Sequence, residues 1–224
     1  MTTTTSSTST DIAGLRTNAN TTGVTVNVDE DSKITISHTA ASGTVRGIYC
    51  KPIDTGDTGL DITIAGNKAK TLVDITTANS ATIIYHIVVG DAAGRAAAEV
   101  DVTDAICVSS GPSLQANGIF IQNDPTGAGS PITINNCVLT GNSCTHTGST
   151  PTSGRGILVG TDNNSVTIGA ATVTNLTYHD NIVRNFSHGV MMGGLDGKIS
   201  KRNQVFDSDL SITIKRCNNC QMRS

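Results

Sequence analysis

The sequence predicts an all-β protein, a parallel β-helix solenoid with a polar N-terminal arm. Three recurring phrases predict it. One is Gly followed by three apolar residues: Gly118-Ile119-Phe120-Ile121, Gly156-Ile157-Leu158-Val159 and Gly189-Val190-Met191-Met192. Another is Asn-x-Val: Asn136-Cys137-Val138, Asn181-Ile182-Val183 and Asn203-Gln204-Val205. The third is a β-branched triplet, as in Val24-Thr25-Val26, Ile34-Thr35-Ile36, Ile62-Thr63-Ile64, Ile132-Thr133-Ile134, Val166-Thr167-Ile168 and Ile212-Thr213-Ile214. Each phrase is too short for an ordinary helix and fits one short strand beside a turn. Short strands at a recurring spacing are the mark of a solenoid.

In order along the chain, residues 1–22 are rich in Thr, Ser and Asn and have little to bury. They read as a flexible arm that orders on a partner. From 23 to 224 the strand phrases run on, less regularly over 23–110 and most regularly over 117–224. In each triplet the outer two residues share a face, so the strand has one buried side. Phrase separations suggest a unit of about 23 residues, with loops added in places. The small polar stretch from Gly141 to Arg155 reads as one such protruding loop. Ala92 to Val100 is the one credible helix. A single coil cannot bury its inner face alone, so stacked coils must share a core. Ile119, Ile121, Ile132, Ile134, Ile157, Val159, Val190, Met192, Ile212 and Ile214 are the residues expected to face it. The Asn before x-Val suits the bend between strands, because Asn tolerates left-handed backbone. Stacked amides would make Asn136, Asn181 and Asn203 a structural ladder.

Composition narrows the function. Of 224 residues, 15% are charged and 3% aromatic, with no Trp and a net charge of −3. The basic residues near the C-terminal end come with no aromatic or Gly-rich nucleic-acid motif, so no nucleic-acid partner is expected. No run approaches 18 apolar residues, so no membrane insertion is expected. The start M-T-T-T-T-S-S-T-S-T lacks the basic and apolar regions of a signal peptide. Cys107 and Cys137 sit in apolar runs and read as buried free thiols. Cys217-Asn218-Asn219-Cys220 has C-x-x-C spacing, but Cys137, Cys144 and His146 complete no zinc pattern with it. No metal and no cofactor are assigned. Asp54 to Asp61 loosely resembles a calcium loop but lacks the spacing and the closing Glu.

The G-I-x-I and N-x-V phrases resemble the right-handed parallel β-helix proteins of the pectate-lyase-like class, which include phage tailspikes and many polysaccharide-active enzymes. The resemblance covers roughly residues 23–224, best from 117 on, and implies right-handed coils. The N-terminal half also suits a small β-sandwich. Enzymes of the class use carboxylates on an outer face. Here Tyr178, His179, Asp180 and Arg184, with Asp207 a coil further on, form the one suggestive group, a possible glycan contact. The plainer reading is polar side chains on a solvated sheet, and it is preferred. Hydrolysis wants two carboxyl groups across one bond, and the only glutamates are Glu30 and Glu99. No catalytic residue is assigned.

The resemblance and the absent signal together imply a non-enzymatic virion structural protein, made in the host cytoplasm and exposed on a phage particle. A capsid decoration protein, head fibre or short spike would fit. Its expected partners are two further copies in a homotrimer, a capsid or tail protein held through residues 1–22, and surface polysaccharide of the host. The alternatives are a polysaccharide lyase or hydrolase, as a tailspike or a secreted β-helix enzyme, and a cell-surface adhesin fragment.

Overall fold

The computed structural model describes residues 2–8, 11–19, 25–52, 61–90, 99–122, 132–134, 136–149, 153–160 and 171–222. Among them there are strands and turns and no helix. The strands fall into successive coils. The first holds β1 (Thr2–Ser7), β2 (Asp11–Ala19) and β3 (Thr25–Val28); the second holds β4 (Lys33–His38), β5 (Gly43–Pro52) and β6 (Asp61–Ala65). The third holds β7 (Thr71–Thr77), β8 (Thr82–Val89) and β9 (Glu99–Thr103). The fourth holds β10 (Ile106–Ser110), β11 (Gln115–Gln122), the short β12 (Ile132–Ile134) and β13 (Asn136–Thr140). The fifth holds β14 (Ser143–His146), β15 (Arg155–Gly160) and β16 (Ala171–His179). The sixth holds β17 (Ile182–Arg184) and the long β18 (His188–Lys201); the last holds β19 (Gln204–Phe206) and the long β20 (Leu210–Met222).

One strand from each coil enters a seven-stranded sheet, β1-β4-β7-β10-β14-β17-β19. The other two rows join into a 13-stranded sheet, because β18 pairs with β15 through its first half and with β16 through its second. All pairing between these strands is parallel. The chain is therefore a parallel β-solenoid, as its phrases predict.

Alternation sets the register. Ile34 and Ile36 on β4, Ile62 and Ile64 on β6, and Ile119 and Ile121 on β11 all point inward, at most 2% exposed. Ile134, Ile157, Val159, Val190 and Met192 are buried with them. Each such side chain contributes about 1.5–3 kcal/mol by leaving water. A slip of one residue would turn a whole strand inside out, so the pattern holds the coils in line. Ile212 departs from the pattern at 42% exposed, since β20 pairs with β18 and no described strand packs beyond it. The side chains of Ile132 and Ile214 lie outside the described residues.

Other expectations are corrected. Residues 2–8 and 11–19, within the expected arm over 1–22, lie in the first coil rather than in a separate arm: β1 pairs in register with β4, and β2 with β5. The N-terminal half is part of the solenoid and not a sandwich. The coil is also longer than 23 residues. Equivalent bends are joined by hydrogen bonds spanning 37 and 39 residues, and only the last step is 22. The added length lies between the second and third strands of each coil, which β18 and β20 bridge without a break. Gly141 to Arg155 is not simply a loop, for it contains β14. Glu99–Thr103 is a strand, and the rest of the expected helix lies outside the described residues, as does most of Asp54 to Asp61.

Candidate functional site

The bend between the third and first rows is built the same way in several coils. A residue in left-handed conformation comes first: Asp104, Gly141, Asp180 or Arg202, with φ of 52°, 68°, 57° and 47°. The next residue is the ladder position. There Asn203 Oδ1 accepts from the Asn181 backbone N–H and side-chain amide, both at 3.0 Å. Asn181 Oδ1 in turn accepts from the Asn142 N–H at 3.1 Å and its amide at 3.0 Å. Asn142 Oδ1 accepts from the Ala105 N–H at 3.0 Å. Each amide also donates to a strand-end carbonyl: Asn142 to Val102, Asn181 to Leu139 and Asn203 to Tyr178. Buried amides so fully partnered lock the coils together. The ladder is thus Asn142, Asn181 and Asn203. Asn136 is not in it. It stands exposed at the start of β13, where it donates to Glu99 Oε1 at 2.7 Å and accepts from Asn175 at 3.3 Å.

The group expected to contact glycan splits into three. Tyr178 points inward and is 1% exposed, because the alternation of β16 puts it on the core face. This corrects its place among surface residues. His179 and Asp180 remain outside. Asp180 Oδ2 lies 2.7 Å from His179 Nδ1, and its carboxylate takes a two-pronged contact from Arg202 at 2.5 and 2.7 Å. The Arg202 guanidinium first, and then His179, hold the Asp180 carboxyl well below its ordinary range. A carboxylate so satisfied is a poor proton acceptor near neutral pH. Arg184 is at the far end of β17, with its guanidinium 4.0 Å from the centre of the Phe206 ring. Asp207 follows Phe206, exposed and left-handed with φ 54°.

The outer face of the second row holds a group that sequence reading missed. Tyr49 on β5, Tyr85 on β8 and Phe120 on β11 come from adjacent coils, and Tyr85 meets Phe120 edge-on at 5.5 Å. Arg46 lies 4.7 Å from the Tyr49 ring centre and 5.8 Å from that of Tyr85, and Arg16 lies 5.6 Å from Tyr49. Phe120, Val88, Leu158 and Met191 are themselves buried, at most 6% exposed, and Tyr49 and Tyr85 are half-buried against them. The signal was present: Tyr49 and Phe120 hold the same place within their Gly-led phrases.

A second unexpected group lies in the core. His86, Cys107 and Cys144 are fully buried, with their ligand atoms within 4.8 Å of one another. Among the described residues, neither nitrogen of His86 has a hydrogen-bond partner, and nor do Tyr178 Oη and His146 Nε2. Burial holds the His86 pKa down at about 3, with His146 adding to the effect, so the ring is neutral. The Cys107 thiol is pushed well up by its bond to Cys144 and by burial. Beside them Ser109 and His146 Nδ1 are 3.0 Å apart. Cys137 is buried and in no disulfide, as its apolar run predicts, whereas the side chains of Cys217 and Cys220 lie outside the described residues.

No protein-family model, no curated protein and no solved structure matches this chain.

Proposed function

We propose that the chain is a non-enzymatic structural protein exposed on a phage particle, where it contacts acidic or neutral glycan of the host surface. The observation that carries this reading is the cluster of two tyrosines and two arginines on the outer face of a parallel solenoid. The half-buried Tyr49 and Tyr85 come from adjacent coils, backed by the buried Phe120, with Arg46 over both tyrosine rings and Arg16 over that of Tyr49. Ring faces stack on sugar C–H surfaces, and the guanidinium groups, that of Arg46 already paired with Asp11, offer further N–H donors to sugar oxygens. A solenoid repeats its outer positions at the strand spacing, which suits an extended, repetitive ligand.

The sequence resemblance to pectate-lyase-like phage spikes supports the same placement. In this reading attachment to a capsid or tail protein uses the first coil, whose Thr-rich β1 is the edge strand of its sheet. Unpaired edge strands invite pairing with another chain. Assembly as a homotrimer would cover exposed apolar groups such as Phe206 and Ile212, 37% and 42% exposed.

The locked Asp180 carboxylate gives the lyase or hydrolase alternative little support. Binding of the purified protein to an array of bacterial polysaccharides tests the reading, together with chromatography of the supernatant for released oligosaccharides. We expect binding without release, weakened at least tenfold by Arg46→Ala or Tyr49→Ala, a loss of about 1.4 kcal/mol. Released oligosaccharide, or no binding to any glycan, would overturn it. Mass spectrometry of purified particles tests the placement on a virion.

A further inference from the structure

We propose that His86, Cys107 and Cys144 form a structural site for one divalent metal ion of the zinc type, enclosed in the solenoid core. The inference goes beyond the surface role above and does not depend on it.

Two internal repeats break at this place in the core. The middle of the second row carries glycine at Gly14, Gly47, Gly118, Gly156 and Gly189, with Ser211 in the last coil. At several of these glycines there is no room for a side chain. A Cβ on Gly14 would meet Ile34 at 2.3 Å, one on Gly47 would meet Val73 at 2.4 Å, and one on Gly156 would meet Val183 at 2.0 Å. In the third coil the same position is His86, directly opposite Gly47 and Gly118. The facing row on the first sheet is β-branched nearly throughout: Thr3, Ile34, Val73, Val183 and Val205. It changes to cysteine at two coils only, Cys107 and Cys144. Those are the two coils whose thiols meet the His86 ring. A residue too large for its row and two thiols in place of bulkier groups thus occur together. Two thiols and an imidazole are zinc-type ligands.

Hydrogen-bond accounting agrees. A buried imidazole with neither nitrogen partnered leaves polar groups unsatisfied, which weakens the fold. A metal ion would take up one nitrogen. A zinc site has Zn–S near 2.3 Å and Zn–N near 2.0–2.1 Å, which puts neighbouring donors about 3.5–3.8 Å apart. The three donors need to close by about 1 Å from their present 4.8 Å limit. On binding, both thiols release their protons, and M²⁺ with two thiolates and a neutral imidazole carries no net charge. A neutral complex is what an apolar core tolerates. Tyr178 offers a fourth donor. Its hydroxyl is buried without a partner, and its pKa is raised by burial and then by the nearness of Cys144. All three ligands are at zero exposure, so the ion must enter during folding.

The test uses the full chain. It is unfolded under reducing conditions, refolded with Zn²⁺, Co²⁺ or a chelator, and dialysed against a weak chelator. We expect about one retained ion per chain, and thiolate-to-cobalt charge-transfer absorption in the Co²⁺ form. Cys107→Val and Cys144→Val restore the residue that their row carries elsewhere, and His86→Gly restores the row's glycine. Each should refold and retain less than about a tenth of an ion, whereas Cys217→Ser with Cys220→Ser should retain the full ion. X-ray absorption on the zinc-loaded wild-type chain needs no variant to fold. It should show two sulfur neighbours and the multiple scattering of an imidazole. Three results would each overturn the site: no ion retained, a first shell of oxygen and nitrogen alone, or a Cys107–Cys144 disulfide in the protein as isolated.

Discussion

Two buried polar regions sit in one solenoid and are built on opposite terms. At the Asn bend, every oxygen of Asn142, Asn181 and Asn203 accepts from the chain, and every side-chain amide donates to a strand-end carbonyl. In the core pocket, His86 has neither nitrogen partnered, and Tyr178 and His146 each leave a polar atom alone. A closed network such as the bend specifies how coils stack. An open one of the same burial weakens the fold unless something else fills it. The difference teaches that burial alone does not separate structural from functional polar groups; satisfaction does.

The largest effect should come from cutting the closed network. Asn181→Ala removes the acceptor of the Asn142 backbone N–H and amide, and the donor to Leu139. Three buried groups left unpaired should destabilise the fold by about 3–5 kcal/mol. Urea unfolding at neutral pH would measure it. A loss below about 1 kcal/mol would mean that water replaces the ladder, and the contrast with the core pocket would collapse. Next comes the glycine row. Gly156→Ala drives a methyl group against Val183 and the Gly189 carbonyl, at 2.0 and 2.7 Å, and should cost about 1–3 kcal/mol. Val183→Ala in the same chain should recover part of that, since the two sites share one clash.

The fold was legible because β-branched alternation and Gly-led phrases are local signals. The period was not, because most coils carry long connections between their second and third strands, and coincident phrase spacings imitated a shorter unit. The ladder was half legible. Asn181 and Asn203 stand in a shared phrase, but Asn142 lies in Gly141-Asn142-Ser143-Cys144-Thr145-His146, where small polar residues mimic a loop. That same stretch is β14 and carries Cys144 and His146 into the core. His86-Ile87-Val88-Val89 is the Gly-led phrase with His in place of Gly, visible only once the register is known. Which way Tyr178 faces also needed the register, since one residue of shift reverses a strand.

The ladder contains no titratable group, so its contribution should not vary with pH, whereas that of the buried thiols should. Burial lifts the Cys50 pKa from its ordinary 9 to about 11. Between those values the unfolded chain has lost the proton and the folded chain keeps it. Stability is therefore full below pH 9 and falls as pH rises toward 11, at up to about 1.4 kcal/mol per pH unit for this thiol. Cys50→Val should flatten that part of the curve by about 1 kcal/mol at pH 10. Asn181→Ala should shift the whole curve without changing its slope. Denaturant titrations at pH 8, 9 and 10 on the three proteins would show it, and equal slopes in wild type and Cys50→Val would refute the thiol's role.

The smallest effect, and the sharpest check on the comparison, is Asn136→Ala. Asn136 has the same Asn-x-Val phrase as Asn181 and Asn203, and it too is hydrogen-bonded to neighbouring coils. What differs is exposure. Asn136 is open to solvent at the start of β13, so water can take over the bonds to Glu99 and Asn175 when its amide is removed. An exposed hydrogen bond exchanged for water costs little, and surface substitutions of this kind stay within about 0.5 kcal/mol. Asn136→Ala and Asn181→Ala therefore delete the same amide from the same phrase, and should differ several-fold in cost. If the two cost the same, the phrase itself and not burial would be setting the energy. Asn142 would then lose its standing as the ladder's third member, and the division between closed and open polar groups would have to be redrawn around sequence position.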